Sequence, residues 1–147
     1  MASWVIYDNF KLNQLDADQV NFDVAGDTIK VALATSAYVP AIATDDFWND
    51  VNANEVAGTN YTAGGIALAN KTLTLAAGSV TFDNTVDPVW LQSATGFANA
   101  RHAVLYKDTG VTTTSALIAT ADFGADVGNV AGDLTLQLDA NGILTLS

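Results

Sequence analysis

Apolar and polar residues alternate with a period of two in several segments of this sequence. The clearest examples are TLTL at 72–75 and LTLQL at 134–138. In a β-strand, successive side chains point to opposite faces, so this alternation places one row toward a core and the other toward solvent. The sequence therefore predicts a mainly β protein.

The acidic residues support the same prediction. The chain has 16 acidic residues in 147, and all of them are Asp except Glu55. Asp favours turns and caps because its short side chain bonds to nearby backbone, whereas Glu favours helix surfaces. We therefore predict one domain over residues 1–147 with its charges in loops. The expected fold is an antiparallel β-sandwich, jelly-roll-like, or a small open barrel, with residues 1–12 as an arm or an edge strand.

Three segments have the pattern of β-hairpins, in which two alternating runs flank a turn. They are residues 20–33 with a turn at Gly26-Asp27, residues 72–82 with a turn at Ala77-Gly78, and residues 134–146 with a turn at 139–142. Further strands are predicted at 89–92, 103–106 and 117–123. One short helix is expected near 45–53, because Thr44 can cap it and two aspartates would occupy its first turn.

The charge balance excludes one class of partner. The net charge is −11, and the five basic residues are scattered along the chain. Binding to nucleic acid requires clustered Lys and Arg, so no nucleic-acid partner is expected. No run of 18 apolar residues occurs, and MASWVIYDNF lacks a basic signal region, so neither a membrane partner nor a secretory signal is expected.

The adjacent glycines Gly64-Gly65 raise the question of a phosphate-binding loop. Such a loop precedes a helix, and the P-loop has Lys-Ser/Thr directly after its second glycine. Here a Thr/Leu strand follows, and Lys71-Thr72 lies six residues past Gly65. We therefore interpret the two glycines as a bend or bulge where the backbone approaches a neighbour closely.

Other motifs also fall short of a catalytic or metal site. The stretch from Asp50 to Asn54 resembles the start of a calcium loop, but Glu55 and Tyr61 occupy positions that require Gly and Glu. Adventitious Ca²⁺ between loop aspartates stays an open alternative. His102 is the only histidine, and no nucleophile motif accompanies it. The prediction is a non-enzymatic protein with no catalytic residue, cofactor or metal. A glycosidase needs two carboxylates in a cleft, and five aspartates could supply them, although aspartates in turns are expected in such a sequence without any catalytic role. The five are Asp45, Asp46, Asp50, Asp122 and Asp126.

Three aromatic residues near the start of the chain have two interpretations. Trp4, Tyr7 and Phe10 recur every third residue in SWVIYDNFKL. Aromatic residues near a terminus either fix that segment to the core of their own domain, which is the commoner case, or anchor a partner. On the second interpretation, these three residues form a candidate interface.

A resemblance to a known family rests on four stretches: DDFWNDV, EVAGTNYTAGGIALANKTLTL, VTFDNTVDPVWLQSATGFANARHAVLYKDTG and LIATADFG. This region, from about Asp45 to Gly124, resembles small tailed-phage virion proteins of the capsid cement (decoration) type. The resemblance implies a β-rich protein, made in the host cytoplasm, that binds the major capsid protein on the outer surface of the virion. It also implies a homotrimer at local three-fold positions, and it carries over no catalytic residue.

Two alternatives belong to a different functional class, namely a tail-fibre or receptor-binding module and a carbohydrate-binding domain. A sugar site would expose Trp48 or Trp90 beside Asp and Asn side chains. A cement protein would instead bury its aromatic residues and associate with itself. The burial of the tryptophans therefore discriminates between these hypotheses.

Overall fold

A computed structural model describes residues 3–16 and 19–147 of the chain. Met1 and Ala2, the first two residues of the predicted arm or edge strand, and residues 17–18 lie outside this description. Within the described residues, the protein is mainly β, with antiparallel sheets and one short α-helix. These features of the predicted fold are confirmed, and the described strands do not close into a barrel.

The main sheet has five antiparallel strands in the order β1-β8-β7-β2-β3. Its central strands consist of nearly continuous apolar residues, such as IKVALAT in β2, and both of their faces are buried. Such runs suit a strand that is covered on both sides. The strands are β1 (Trp4–Ile6), β2 (Ile29–Thr35), β3 (Ile66–Ala67), β7 (Ala100–Lys107) and β8 (Leu117–Val127).

A smaller sheet has three antiparallel strands, in the order β10-β5-β4. Strands β4 (Lys71–Ala76) and β5 (Ser79–Asn84) form the predicted hairpin. Ala77 and Gly78 both have positive φ, at 50° and 84°, as a tight two-residue turn requires. Strand β10 (Leu144–Leu146) pairs with the other side of β5, and a separate pair joins β6 (Val89–Trp90) to β9 (Leu134–Thr135).

The predicted helical region is helical, but its turns are 3₁₀ and the α-helix lies elsewhere. The region near 45–53 contains two 3₁₀ turns, Trp48–Asp50 and Asn52–Asn54. The Asp50 carboxylate accepts the backbone N–H groups of Asp46 and Phe47 at 2.9 and 3.3 Å, and this local bonding closes a tight turn. The α-helix, α1, spans Asp8–Asn13, directly after edge strand β1.

The predicted hairpin at 20–33 is wrong in its first half. Only β2 forms, and residues 20–27 make a loop. In this loop the Asp27 carboxylate accepts the N–H of Asn21 at 2.7 Å, and the Asn21 side chain accepts the N–H of Asp23 at 3.0 Å. These side chains replace the backbone partners that a strand would need. Val20 and Phe22 are apolar because they pack on the core.

The predicted C-terminal hairpin is also wrong in its pairing. A turn does occur, and Gly142 donates its N–H to Asp139 O at 2.8 Å. However, the two arms diverge, since β9 pairs with β6 and β10 pairs with β5. Residues 134–138 lie apart from β10, and the Leu138 N–H donates a hydrogen bond to the Asp87 carboxylate at 2.9 Å.

Aromatic contacts join α1 to the three-stranded sheet through Phe22. Phe22 packs edge-on against Phe10 of α1, with ring centroids 5.9 Å apart, and lies 4.5 Å from Phe82 of β5. On the main sheet, Trp48 stacks on Tyr106 with centroids 4.5 Å apart. No helix in the described part of the chain has the length and apolar character needed to cross a membrane.

Candidate functional site

The turn that contains Gly64-Gly65 is built around a carboxylate. Glu55 accepts hydrogen bonds from the Tyr61 hydroxyl at 2.7 Å and from the Gly64 N–H at 2.6 Å. Burial raises the pKa of Glu55, since a carboxylate loses hydration there, although both hydrogen bonds act in the opposite direction. The Gly64 N–H, which a phosphate-binding loop would present to its ligand, is therefore bonded to the Glu55 side chain instead.

The two glycines are required by conformation and by space. Gly64 and Gly65 have φ of 86° and 77°, a region that L residues rarely adopt. A Cβ on Gly65 would lie 2.6 Å from Ala32 Cα and would overlap the Val31 carbonyl. The chain then enters β3 and not a helix, so the geometry is that of a close backbone approach.

Asn129 is a buried polar residue that the sequence analysis missed. Its side chain has no exposed surface. The Oδ1 atom accepts the Phe97 N–H at 2.9 Å, and Nδ2 donates to Thr59 O at 3.1 Å and Leu91 O at 2.8 Å. One amide thus joins three loops, and no local motif in the sequence distinguishes it from the turn asparagines.

The three aromatic residues of the candidate interface lie in different environments. Tyr7 is completely buried and Phe10 nearly so, whereas Trp4 is partly exposed on β1. The Tyr7 and Tyr38 hydroxyls are 2.6 Å apart, and Tyr38 donates to the Asp45 carboxylate at 2.7 Å. Burial raises the pKa of Tyr7 to about 12. In this chain Tyr7 and Phe10 are therefore core residues, and Trp4 is the member with side-chain surface to offer a partner.

His102 is buried on β7, where its ring meets Tyr38 edge-on at 5.8 Å. Its Nδ1 atom has no hydrogen-bond partner among residues 3–16 and 19–147, and burial lowers the pKa of the imidazole because the cation would lose hydration. The nearby Arg101 and Asp122 bond to each other at 2.6 Å. Burial therefore favours the neutral form of His102, as is usual for a packed histidine.

Three of the five candidate carboxylates serve turns or ion pairs. Asp45 and Asp50 accept backbone N–H groups, and Asp122 pairs with Arg101. Among residues 3–16 and 19–147, no group of three or more His, Cys, Asp or Glu side chains could hold a metal ion. The described aspartates do not converge on one point.

An apolar groove of about 580 Å³ lies between α1 and the three-stranded sheet. Leu15, which follows α1, lines one side and is 90% exposed. Phe10, Phe22 and Phe82 also line the groove. Besides Phe82, the sheet contributes Thr145 and four apolar residues to the lining: Leu73, Val80, Leu144 and Leu146.

The strand register explains why the sheet contributes apolar residues. Leu73 is paired with Phe82, which is paired with Leu144, and Leu75 is paired with Val80, which is paired with Leu146. Paired residues lie on the same face of a sheet, so these six side chains form one apolar face. Phe82 is buried under Phe22, whereas Leu75 and Leu146 at the far end are 73% and 75% exposed. The described residues therefore cover the apolar face of the three-stranded sheet at one end only.

No protein-family model matches this chain, and no curated protein or solved structure matches it either.

Proposed function

We propose that this chain is a non-enzymatic structural protein of a phage virion, a cement protein that binds the major capsid protein on the outer surface of the shell. The proposal starts from the resemblance of residues 45–124 to such proteins. Its physical basis is that a cement protein acts through buried interface area, so its surface must offer apolar contacts.

The observation that carries the proposal is the distribution of large apolar side chains. Trp48 and Trp90 are only 5% and 1% exposed. Sugar-binding sites present aromatic rings to solvent, so burial of both residues weighs against the carbohydrate-binding alternative. Several leucines lie on the surface instead, among them Leu15, Leu75 and Leu146. This pattern suits adhesion to another protein.

The negative charge supports the same proposal. A net charge of −11 repels the packaged genome, so the protein would stay on the outside of the shell. The charge also means that self-association must use surface without charge. Several copies on one shell would then multiply weak contacts through high effective concentration. The homotrimer implied by the resemblance is part of this proposal.

Electron microscopy of purified protein mixed with undecorated shells of the encoding phage would test the proposal. We expect density at a regular set of outer lattice positions, with three copies around each local three-fold axis. Fully decorated shells are the control, because they offer no vacant position. Failure to bind undecorated shells would overturn the proposal. Density restricted to tail fibres would favour the tail-fibre or receptor-binding module.

Replacing Trp4 with Ala tests whether this residue contributes to the interface. Trp4→Ala should weaken binding to shells by about 2 kcal/mol, or about 30-fold, if Trp4 is an anchor. The unfolding transition of the free protein serves as the control. A variant that loses stability but binds normally once folded would restrict Trp4 to the core.

A further inference from the structure

Strand β4 forms an open edge of the three-stranded sheet. Its neighbour on one side is β5, and no described strand pairs with its other side. Residues 73–76 are exposed. An edge strand presents backbone N–H and C=O groups that can pair with another strand, so natural proteins usually protect such edges.

The hairpin register identifies the unpaired groups. In a hairpin with a two-residue turn, the residues flanking the turn, Ala76 and Ser79, exchange backbone hydrogen bonds. The exchange then alternates along the strand, so Thr74 bonds to β5 whereas Leu73 and Leu75 point their backbone groups outward. Among the described residues, no backbone hydrogen bond from outside the sheet reaches either leucine.

This edge lacks most of the usual protection, since Lys71 at the start of β4 is buried and its ammonium group donates to Asp27 O of the same chain. The hairpin TLTLAAGSVTF, residues 72–82, contains no charged residue and no proline in a chain of net charge −11. The protections found on natural edges are Lys, Pro, bulges and covering segments. The β4–β5 register is also regular from Lys71 to Ala76, without a bulge.

We propose that β4 is a self-association surface, at which β4 of a second copy pairs antiparallel about a two-fold axis. Leu73 of one copy would exchange hydrogen bonds with Leu75 of the other, with the two Thr74 residues opposite each other at the centre. The two sheets would join into one six-stranded sheet, and their apolar faces would be continuous.

A second copy fits this edge better than an unrelated charged partner for two reasons. A two-fold contact requires a surface complementary to itself, and an antiparallel strand with alternating Thr and Leu meets that condition. The chain's acidic surface disfavours close approach of two copies except where charge is absent, and the hairpin is such a place. A six-residue strand is smaller than a standard interface, so the pairing should be weak and depend on concentration.

Two equally exposed leucines provide a matched test. Leu75 and Leu146 lie on the same face, at opposite edges of the sheet, and are 73% and 75% exposed. Sedimentation velocity from about 10 μM to about 1 mM covers the range in which weak complexes dissociate. Without shells, on which the proposed homotrimer can form, we expect wild type to approach twice the chain mass. Leu75→Glu should stay monomeric, and Leu146→Glu, with the same net charge, should behave as wild type.

Hydrogen exchange of the wild-type protein tests the backbone contact directly. The amides of Leu73 and Leu75 should become protected as concentration rises, whereas the Thr74 amide should be protected throughout. Leu73→Pro should abolish association while cooperative unfolding persists, because an outward N–H on an edge strand is dispensable for the fold.

Three results would overturn the proposal. They are exchange at Leu73 that is independent of concentration, equal loss of association in Leu75→Glu and Leu146→Glu, and a three-chain mass that Leu75→Glu does not change. The inference does not rest on the proposed function, since all these measurements are made without shells.

Discussion

Replacing Gly65 with Ala should destabilise the protein more than replacing Gly78 with Ala. Both glycines have positive φ, at 77° and 84°. They differ in their surroundings, since a Cβ on Gly78 would meet nothing within 4 Å, whereas one on Gly65 would overlap the backbone of β2. The two variants therefore separate the loss of stability caused by positive φ from the loss caused by steric overlap of the new Cβ.

The magnitude follows from these two costs. An L residue in the left-handed region costs about 1–2 kcal/mol, which is the whole expected effect of Gly78→Ala. Ala77, next to Gly78, already adopts φ of 50°, so this turn tolerates a Cβ. In Gly65→Ala the overlap with Val31 and Ala32 forces a backbone shift, which adds about 1–3 kcal/mol. The total for Gly65→Ala is about 2–5 kcal/mol.

Urea unfolding of both variants measures the difference. We expect the free energy of unfolding to fall by about 1–3 kcal/mol more for Gly65→Ala, at similar m values. In a thermal scan, this corresponds to a Tm lower by roughly 3–10 °C for a chain of this size. Equal losses in the two variants would refute the close approach of Gly65 to β2 as the reason for this glycine.

Two further predictions concern buried polar groups. Asn129→Ala should lower the free energy of unfolding by about 3 kcal/mol, because three loop groups lose their buried partner, and hydrogen exchange at the Phe97 amide should accelerate. Retained protection at Phe97 would contradict this. Glu55 has a raised folded pKa, so its contribution to stability is largest below its ordinary value of about 4.5 and falls as the pH rises through the folded value. Urea unfolding should show this fall in wild type relative to Glu55→Gln, and identical pH profiles would contradict it.

The sequence predicted well those elements whose signals are local. The hairpin at 72–82 has its turn, its alternation and its register within a dozen residues, and it forms as expected. Strands β7 and β8 contain the apolar stretches by which they were predicted, at 103–106 and 117–123.

The predictions are wrong where the pairing of a segment does not follow from its own alternation of apolar and polar residues. The run at 134–138 alternates as a strand should, but it pairs across the fold with β6 instead of with its neighbour in sequence. Residues 20–24 alternate equally well, yet Asn21 and Asp27 provide local bonds that end any strand. Alternation reports which side chains share a face, and it does not report what pairs with the backbone.

The apolar face of the three-stranded sheet could also be predicted only in part from the sequence. The alternation of Leu73 and Leu75 with threonines predicted that the two leucines share a face. Whether that face is covered depends on how far Phe22 and α1 extend over the sheet, which is a tertiary property. For the same reason, the spacing of Tyr7 and Phe10 could not reveal that both are buried within the chain.

The order of the strands also has a consequence for synthesis. Trp4 in β1 pairs with Ala121, and Lys30 in β2 pairs with Tyr106, so both strands wait for segments that are made much later. At about 5–20 residues per second, β1 waits roughly 6–24 s for its partner. The β4–β5 hairpin closes between neighbours and needs no such delay. Its open edge is therefore present on the nascent chain before the main sheet exists, when neighbouring chains on one messenger are close together. We expect the yield of folded protein to depend on the rate of translation.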